Sequence, residues 1–368
     1  MALTFFGDFA GNARVSVVPA RLNAAAALRH DHEQEAAWRA GCEAVPELLR
    51  RAWLWSGLAI HESLSADVTD SIVQWTAGPH RHNNKNAARV TALHAAELCQ
   101  LDRSRWYSAQ LLDFYRRTVG LGAAGFREES LRFGRIGLDS VFSHALHWQE
   151  VPGYIDNLCE YVRAMPSQSL ESIIAVFRQL ILVHPFLDGN GRFARALATS
   201  LCASAGWPRY LLLPALVAFR VDSNSGNTYN SALAASSCEP FARYALSIAG
   251  NSIDAAMAER AEARVAQHQL ADLLAPASFG RRMQDRLLNA PCISAPEFAR
   301  ISGSSERNAL RWLARLSAHG AFDAQGQLWL WAPAVSLCRR VHKRVLAAID
   351  AENLPVSGVA AGGQCDIA

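Results

Sequence analysis

The run His184-Pro185-Phe186-Leu187-Asp188-Gly189-Asn190-Gly191-Arg192-Phe193-Ala194-Arg195 sets a proton acceptor, a carboxylate, two glycines and two guanidinium groups close together. His184 follows an apolar stretch that reads as a buried helix, and Pro185 stops that helix. Gly189 and Gly191 let the loop turn tightly and bring backbone N–H groups close to a ligand. The next helix is expected to start near Gly191, so its dipole and free N–H groups point into the same loop. Arg192 and Arg195 are three apart and share a face, and Arg presents a bidentate fork to phosphate. Asp188 would be repelled by a phosphate unless a Mg2+ lies between them. His184, neutral near pH 7, can take a proton. These parts suit a Mg-nucleotide attacked by a hydroxyl.

The same residues resemble the signature of Fic-domain proteins, H-P-F-x-[D/E]-G-N-G-R-x-x-R, with every defined position matched. Gly125-Phe126-Arg127 resembles the family's G-x-[FY]-R lead-in to a β-hairpin flap, one residue short, and the segment from Tyr229 to Leu233 resembles its Y-x-x-x-L near the adenine pocket. The resemblance implies that His184 is the general base for a Tyr, Ser or Thr hydroxyl of a target protein. Asp188 would hold Mg2+. Gly189, Asn190 and Gly191 would form the anion hole, Arg192 would hold the β-phosphate, Arg195 the γ-phosphate, and Phe186 would anchor the loop in the core. Tyr229 would line the nucleotide pocket. The implied activity is adenylyl transfer from ATP with release of pyrophosphate. A kinase-like branch of the family replaces the second glycine, which this chain keeps.

Helical periodicity positions these residues. Apolar residues recur at helical spacing over 21–57, 86–101, 106–121, 151–165 and 169–183. The last of these reads as amphipathic, with Ile173, Val176, Phe177, Leu180 and Ile181 on its buried face. A helix is expected from Gly191 to Ala205. Residues 222–230 read as polar and turn-like, 231–250 as helix, and 253–274 as a charged connecting helix. Residues 126–148 alternate polar and apolar residues and fit an exposed hairpin flap. The expected fold class is mainly α: a Fic-type helical core with a short β-hairpin flap, plus a C-terminal winged-helix domain. Its divisions are an N-terminal helical region over 1–85, a core over 86–250, a connector over 251–280, a winged helix-turn-helix-like domain over 281–350 and a disordered tail over 351–368.

Composition bounds the rest. The chain has 368 residues, about half of them apolar, and a formal net charge of +3. That balance excludes whole-chain disorder and is too weak to imply nucleic acid or an anionic membrane by itself. The eight cysteines lie far apart without metal-ligand spacing, mostly in apolar sequence, which favours buried free thiols in a reducing cytoplasm. No run reaches the length of a membrane span, and the N-terminus lacks the basic start and apolar core of a signal peptide. His80-Arg81-His82 reads as solvated surface rather than a metal site.

Two segments outside the motif carry further expectations. Residues 55–63 resemble the family's inhibitory helix, [S/T]-x-x-x-E-[G/N], whose Glu pairs with the second motif Arg. Glu62 is the candidate brake, and a one-residue shift of register, about 100° of helix rotation, would put His61 there instead. Residues 292–331 look like a winged helix-turn-helix. A short helix begins at Ser294, a longer one spans 305–319 with Leu310, Leu313 and Leu316 inward, and 321–331 fit a two-stranded wing. Arg307, Arg311 and Arg315 recur on one face, and residues 281–320 hold seven Arg against three acidic residues. This module is expected to contact DNA through 294–331, or to serve as a homodimer or partner contact. The alternative to an enzyme is a DNA-binding transcriptional regulator with a nucleotide-sensing or inactive Fic core.

Overall fold

A computed structural model describes residues 22, 32–43, 45–62, 68–77, 85–98, 102–120, 125–129, 146–164, 169–221, 223–235 and 237–352. The expected flap beyond residue 129, His80-Arg81-His82 and the tail from Pro355 lie outside these residues. The chain is mainly helical, with one small antiparallel sheet among the described residues. No helix among the described residues is long and apolar enough to cross a membrane.

The centre of the fold is α7 (Leu170–Val183), flanked by α6 (Val151–Ala164), α8 (Asn190–Ser204) and α11 (Glu239–Ala258). Ser169 caps α7 by accepting from the Ser172 N–H at 3.2 Å. The expected amphipathic pattern of this helix is corrected: all of its residues are buried, polar ones included. Neighbours on every side leave it no solvent face, so its polar groups find internal partners. Arg178 donates to the carbonyls of Leu233 and Ala235.

Two further readings change. Residues expected to form a turn are instead α10 (Ser223–Ala234). Ser, Asn and Gly are poor helix formers, but Tyr229, Asn230 and Leu233 are buried against neighbouring segments, and that packing overrides propensity. The expected connecting helix is interrupted at Glu259, between α11 and α12 (Arg260–Leu274). The Glu259 carboxylate accepts from Arg340 at 2.8 Å and Arg344 at 3.2 Å, which ties the break to the last helix.

After α13 (Gly280–Asn289) come β1 (Cys292–Ser294), α14 (Ala295–Ser302), α15 (Glu306–Ala318), β2 (Phe322–Gln325) and β3 (Leu328–Trp331). The strand order is β1-β3-β2, with Ile293 opposite Trp329 and Asp323 opposite Leu330. Ser294 caps α14 and Ser305 caps α15. Leu313 and Leu316 point inward as expected, but Leu310 is 45% exposed. Three residues before Leu313 and one before Arg311, it falls at the edge of the helix shared with the arginines. α16 (Ala332–Ala351) follows β3 directly and packs on α11 and on α2 (Glu47–Glu62), where Ser56 Oγ and His342 Nδ1 are 2.9 Å apart. One apolar core runs through the chain from Cys42 to Ile349. The described cysteines are free, five buried and Cys238 partly so, and burial pushes the thiols of Cys42, Cys159 and Cys202 up to about 12.

Candidate active site

The motif forms the joint between α7 and α8. His184 ends α7 in the left-handed conformation (φ 48°, ψ 62°) and is the sole non-glycine residue with positive φ among the described residues. A side chain there is strained by roughly 1–3 kcal/mol, so the surroundings must hold it. The His184 N–H still bonds to the Leu180 carbonyl at 3.0 Å, while Pro185 prevents a further helical turn. Arg127, 3% exposed, donates from Nε to the His184 carbonyl at 2.9 Å, and its own N–H donates to the Pro185 carbonyl at 2.9 Å. Its remaining guanidinium nitrogens donate to the carbonyls of Glu129 and Leu146.

The loop is closed by its own side chains. Asn190 Oδ1 accepts from the Phe186 N–H at 3.0 Å, and Asn190 Nδ2 donates to the Phe186 carbonyl at 2.7 Å. Phe186 is buried, stacked on Tyr115 with centroids 3.6 Å apart and edge-on to Phe193 at 5.3 Å. The Tyr115 hydroxyl donates to the Asp188 carbonyl at 2.8 Å. Gly189 adopts φ 79° as the residue before α8, a conformation that favours glycine. The first N–H groups of α8, at Asn190, Gly191 and Arg192, then lack helical acceptors and open onto the loop. The Asn190 amide is spent on Phe186, so its backbone N–H is the group left to face the loop.

Electrostatics follow from burial. The imidazole of His184 is pushed down to about 4, first by desolvation, with nearby Arg127 acting in the same direction. It is neutral at pH 7. Its Nδ1 lies 3.4 Å from the Ile181 carbonyl, so the tautomer protonated there leaves the Nε2 lone pair as acceptor. Asp188 is half exposed at the mouth of the loop. Its Oδ1 accepts from the Gly189 N–H at 2.6 Å and its Oδ2 from Arg192 Nη2 at 2.8 Å.

Arg195 is 5% exposed and lines a narrow cleft with Arg192, Gly57, Leu58, His61 and Leu213. α2 thus reaches the cleft of the second motif arginine, and His61 lines that cleft. The Glu62 side chain lies outside the described residues. Gly57 permits this close approach: a Cβ there would stand 2.7 Å from Leu213 Cγ. Tyr229 lies within the electrostatic reach of Arg195 but is buried, with ring centroids 5.3 Å from Phe219 and from Phe241.

Residues 104–202 match the Fic/DOC family. The matched segment contains the whole loop, Arg127 and Tyr115. Among solved structures, the chain is similar to a Fic family protein from Desulfovibrio desulfuricans G20, at 17% identity and TM-score 0.45, over 82% of this chain and 97% of that one. It is also similar to a Fic domain containing signaling protein from Bacteroides thetaiotaomicron VPI-5482, at 16% identity and TM-score 0.42, over 61% of this chain and 94% of that one. No curated protein matches the chain.

Tyr115 and the full role of Arg127 were not readable from the motif. Both lie more than fifty residues upstream, and no spacing rule links them to the loop. Their one signal is chemical: a Tyr among the apolar positions of an amphipathic helix and an Arg directly after a Phe each need a polar partner once buried.

Proposed function

We propose that the chain is a Mg2+-dependent protein adenylyltransferase that moves AMP from ATP to a hydroxyl side chain of a target protein. The carrying observation is the joint itself: a neutral, buried His184 held by Arg127 within five residues of Gly189 and the open N–H groups of α8. In this reading the target hydroxyl oxygen attacks the α-phosphorus and passes its proton to His184 Nε2. The new O–P bond forms as the bond to the leaving pyrophosphate breaks. His184 is a weak base as it stands, and an approaching triphosphate raises its proton affinity by charge.

The backbone N–H groups of Asn190, Gly191 and Arg192 would receive phosphate oxygens. Arg192, now on Asp188, would turn to the β-phosphate. Asp188 fits a Mg2+, since it is a hard carboxylate at the loop mouth whose partner Arg192 has a second use. When bound, Mg2+ would neutralise charge between carboxylate and phosphates. Arg195 would reach the γ-phosphate once α2 yields, and Tyr229 would border the base through Phe219. We also propose that 281–350 form a winged helix-turn-helix-like module and that the protein works in the cytoplasm. The test is incubation with labelled ATP and Mg2+ beside His184→Ala. Label transferred by the wild-type chain to itself or to lysate proteins, and lost in the variant, is the expected result. Equal labelling by both removes the mechanism.

A further inference from the structure

Many arginines in this fold are held by an internal partner, a carboxylate or, as for Arg127 and Arg178, backbone carbonyls. Arg286 forks onto Glu297 at 2.6 and 3.0 Å, Arg340 bridges Glu259 and Glu262, and Arg51 meets Glu97 at 2.6 Å. The face of α15 breaks this pattern. Arg307, Arg311 and Arg315 are all exposed, and none forms an ion pair among the described residues. At about 1.5 Å of rise per residue, they make a cationic stripe about 12 Å long. Between Arg307 and Arg311 stands Leu310, one of few large apolar side chains left exposed. Few large apolar side chains are exposed among the described residues, and this one stands beside three charges that form no ion pair. Arg300 on α14 and Arg281 and Arg282 on α13 are exposed as well.

We propose that the outer face of α15 is a docking site for duplex DNA. Charge complementarity selects an anionic partner of extended, repeating charge. A helix of about 10–12 Å diameter fits the B-DNA major groove, about 12 Å wide. A preceding helix, a tight turn and a capped second helix follow one another here in the order that helix-turn-helix readers use to lay the second helix in the major groove. The arginines meet phosphates and guanine edges, and Leu310 meets an apolar base surface such as a thymine methyl. β2 and β3 follow α15 and are joined at an exposed turn, and β2 packs against α15. The inference does not depend on nucleotide chemistry at His184.

The experiment uses the full chain and a mixed-sequence fluorescent DNA duplex, with anisotropy measured against salt. Each phosphate contact contributes about 0.9 to the slope of log K against log salt, so three arginines account for about 2.7. That is about a 40-fold change in affinity between 50 and 200 mM salt. Arg307→Ala/Arg311→Ala/Arg315→Ala is expected to flatten the slope by up to this amount and to weaken binding at least tenfold, with its thermal melt unchanged. Leu310→Ser is expected to weaken binding without changing the slope. Absence of wild-type binding at low salt overturns the proposal, as does binding that survives the triple substitution. Concentration-dependent self-association lost with the arginines, without DNA binding, assigns the face to a second copy and equally overturns it.

Discussion

Arg127→Ala is the substitution that best separates loop geometry from loop chemistry, because the residue touches no reacting group in the proposed reaction. Its guanidinium donates to the carbonyls of His184, Glu129 and Leu146. Truncation leaves the His184 and Leu146 acceptors buried without a charged donor, at roughly 1–3 kcal/mol each. Part of this is returned, since burying the guanidinium is itself costly; that burial lowers its proton affinity. The net expectation is a loss of about 2–4 kcal/mol, which for a chain of this length is a fall in Tm of about 3–5 °C. The strained His184 conformation then has only Pro185 and the helix end to hold it. A displacement of about 1 Å at a reacting group can cost about a hundredfold in rate. Transfer measured with labelled ATP should therefore fall further than the loss of folded protein explains. Arg127→Lys retains the charge but not the three-way fork, and should recover only a fraction of either loss. Unchanged Tm and unchanged transfer in Arg127→Ala would refute the assignment of Arg127 as the clamp of this joint.

Arg192→Ala and Asp188→Ala should each weaken Mg-ATP binding measured by calorimetry; unchanged affinity in both moves the nucleotide away from this loop. His61→Gly should open the cleft over Arg195 and raise self-labelling with ATP, on the order of tenfold if a buried polar contact of about 1.5 kcal/mol is lost. Activation by Glu62→Gly alone would instead assign the brake to Glu62. Glu171 is buried beside Glu35, and desolvation, with that like charge second, raises its carboxyl from 4.5 to about 7. A folded-state pKa above the unfolded one means that stability is lost as pH rises from 4.5 to 7. Glu171→Gln should therefore gain stability relative to the parent across that window in urea titrations, and a constant difference between the two would contradict it.

Local chemistry was legible in the sequence wherever a short run of residues carries it. Pro185 ends a helix and Gly189 admits a left-handed turn in any context, so the joint between α7 and α8 follows from types and spacing. The cap at Ser169 and the two capped helices after Cys292 are equally local. What required tertiary structure was every property set by distant neighbours. α7 has an amphipathic pattern but is buried throughout because helices surround it, and burial is a property of neighbours rather than of period. α10 is a helix despite its Ser, Asn and Gly because Tyr229 and Leu233 find a core. His184 is held neutral because the core around it removes water and the Arg127 charge disfavours a second cation, and α2 reaches the cleft at Arg195 because Gly57 lets it press on Leu213. Sequence spacing governs which residues share a turn. Only the packed chain decides which charges lose their water and which, as on α15, keep it.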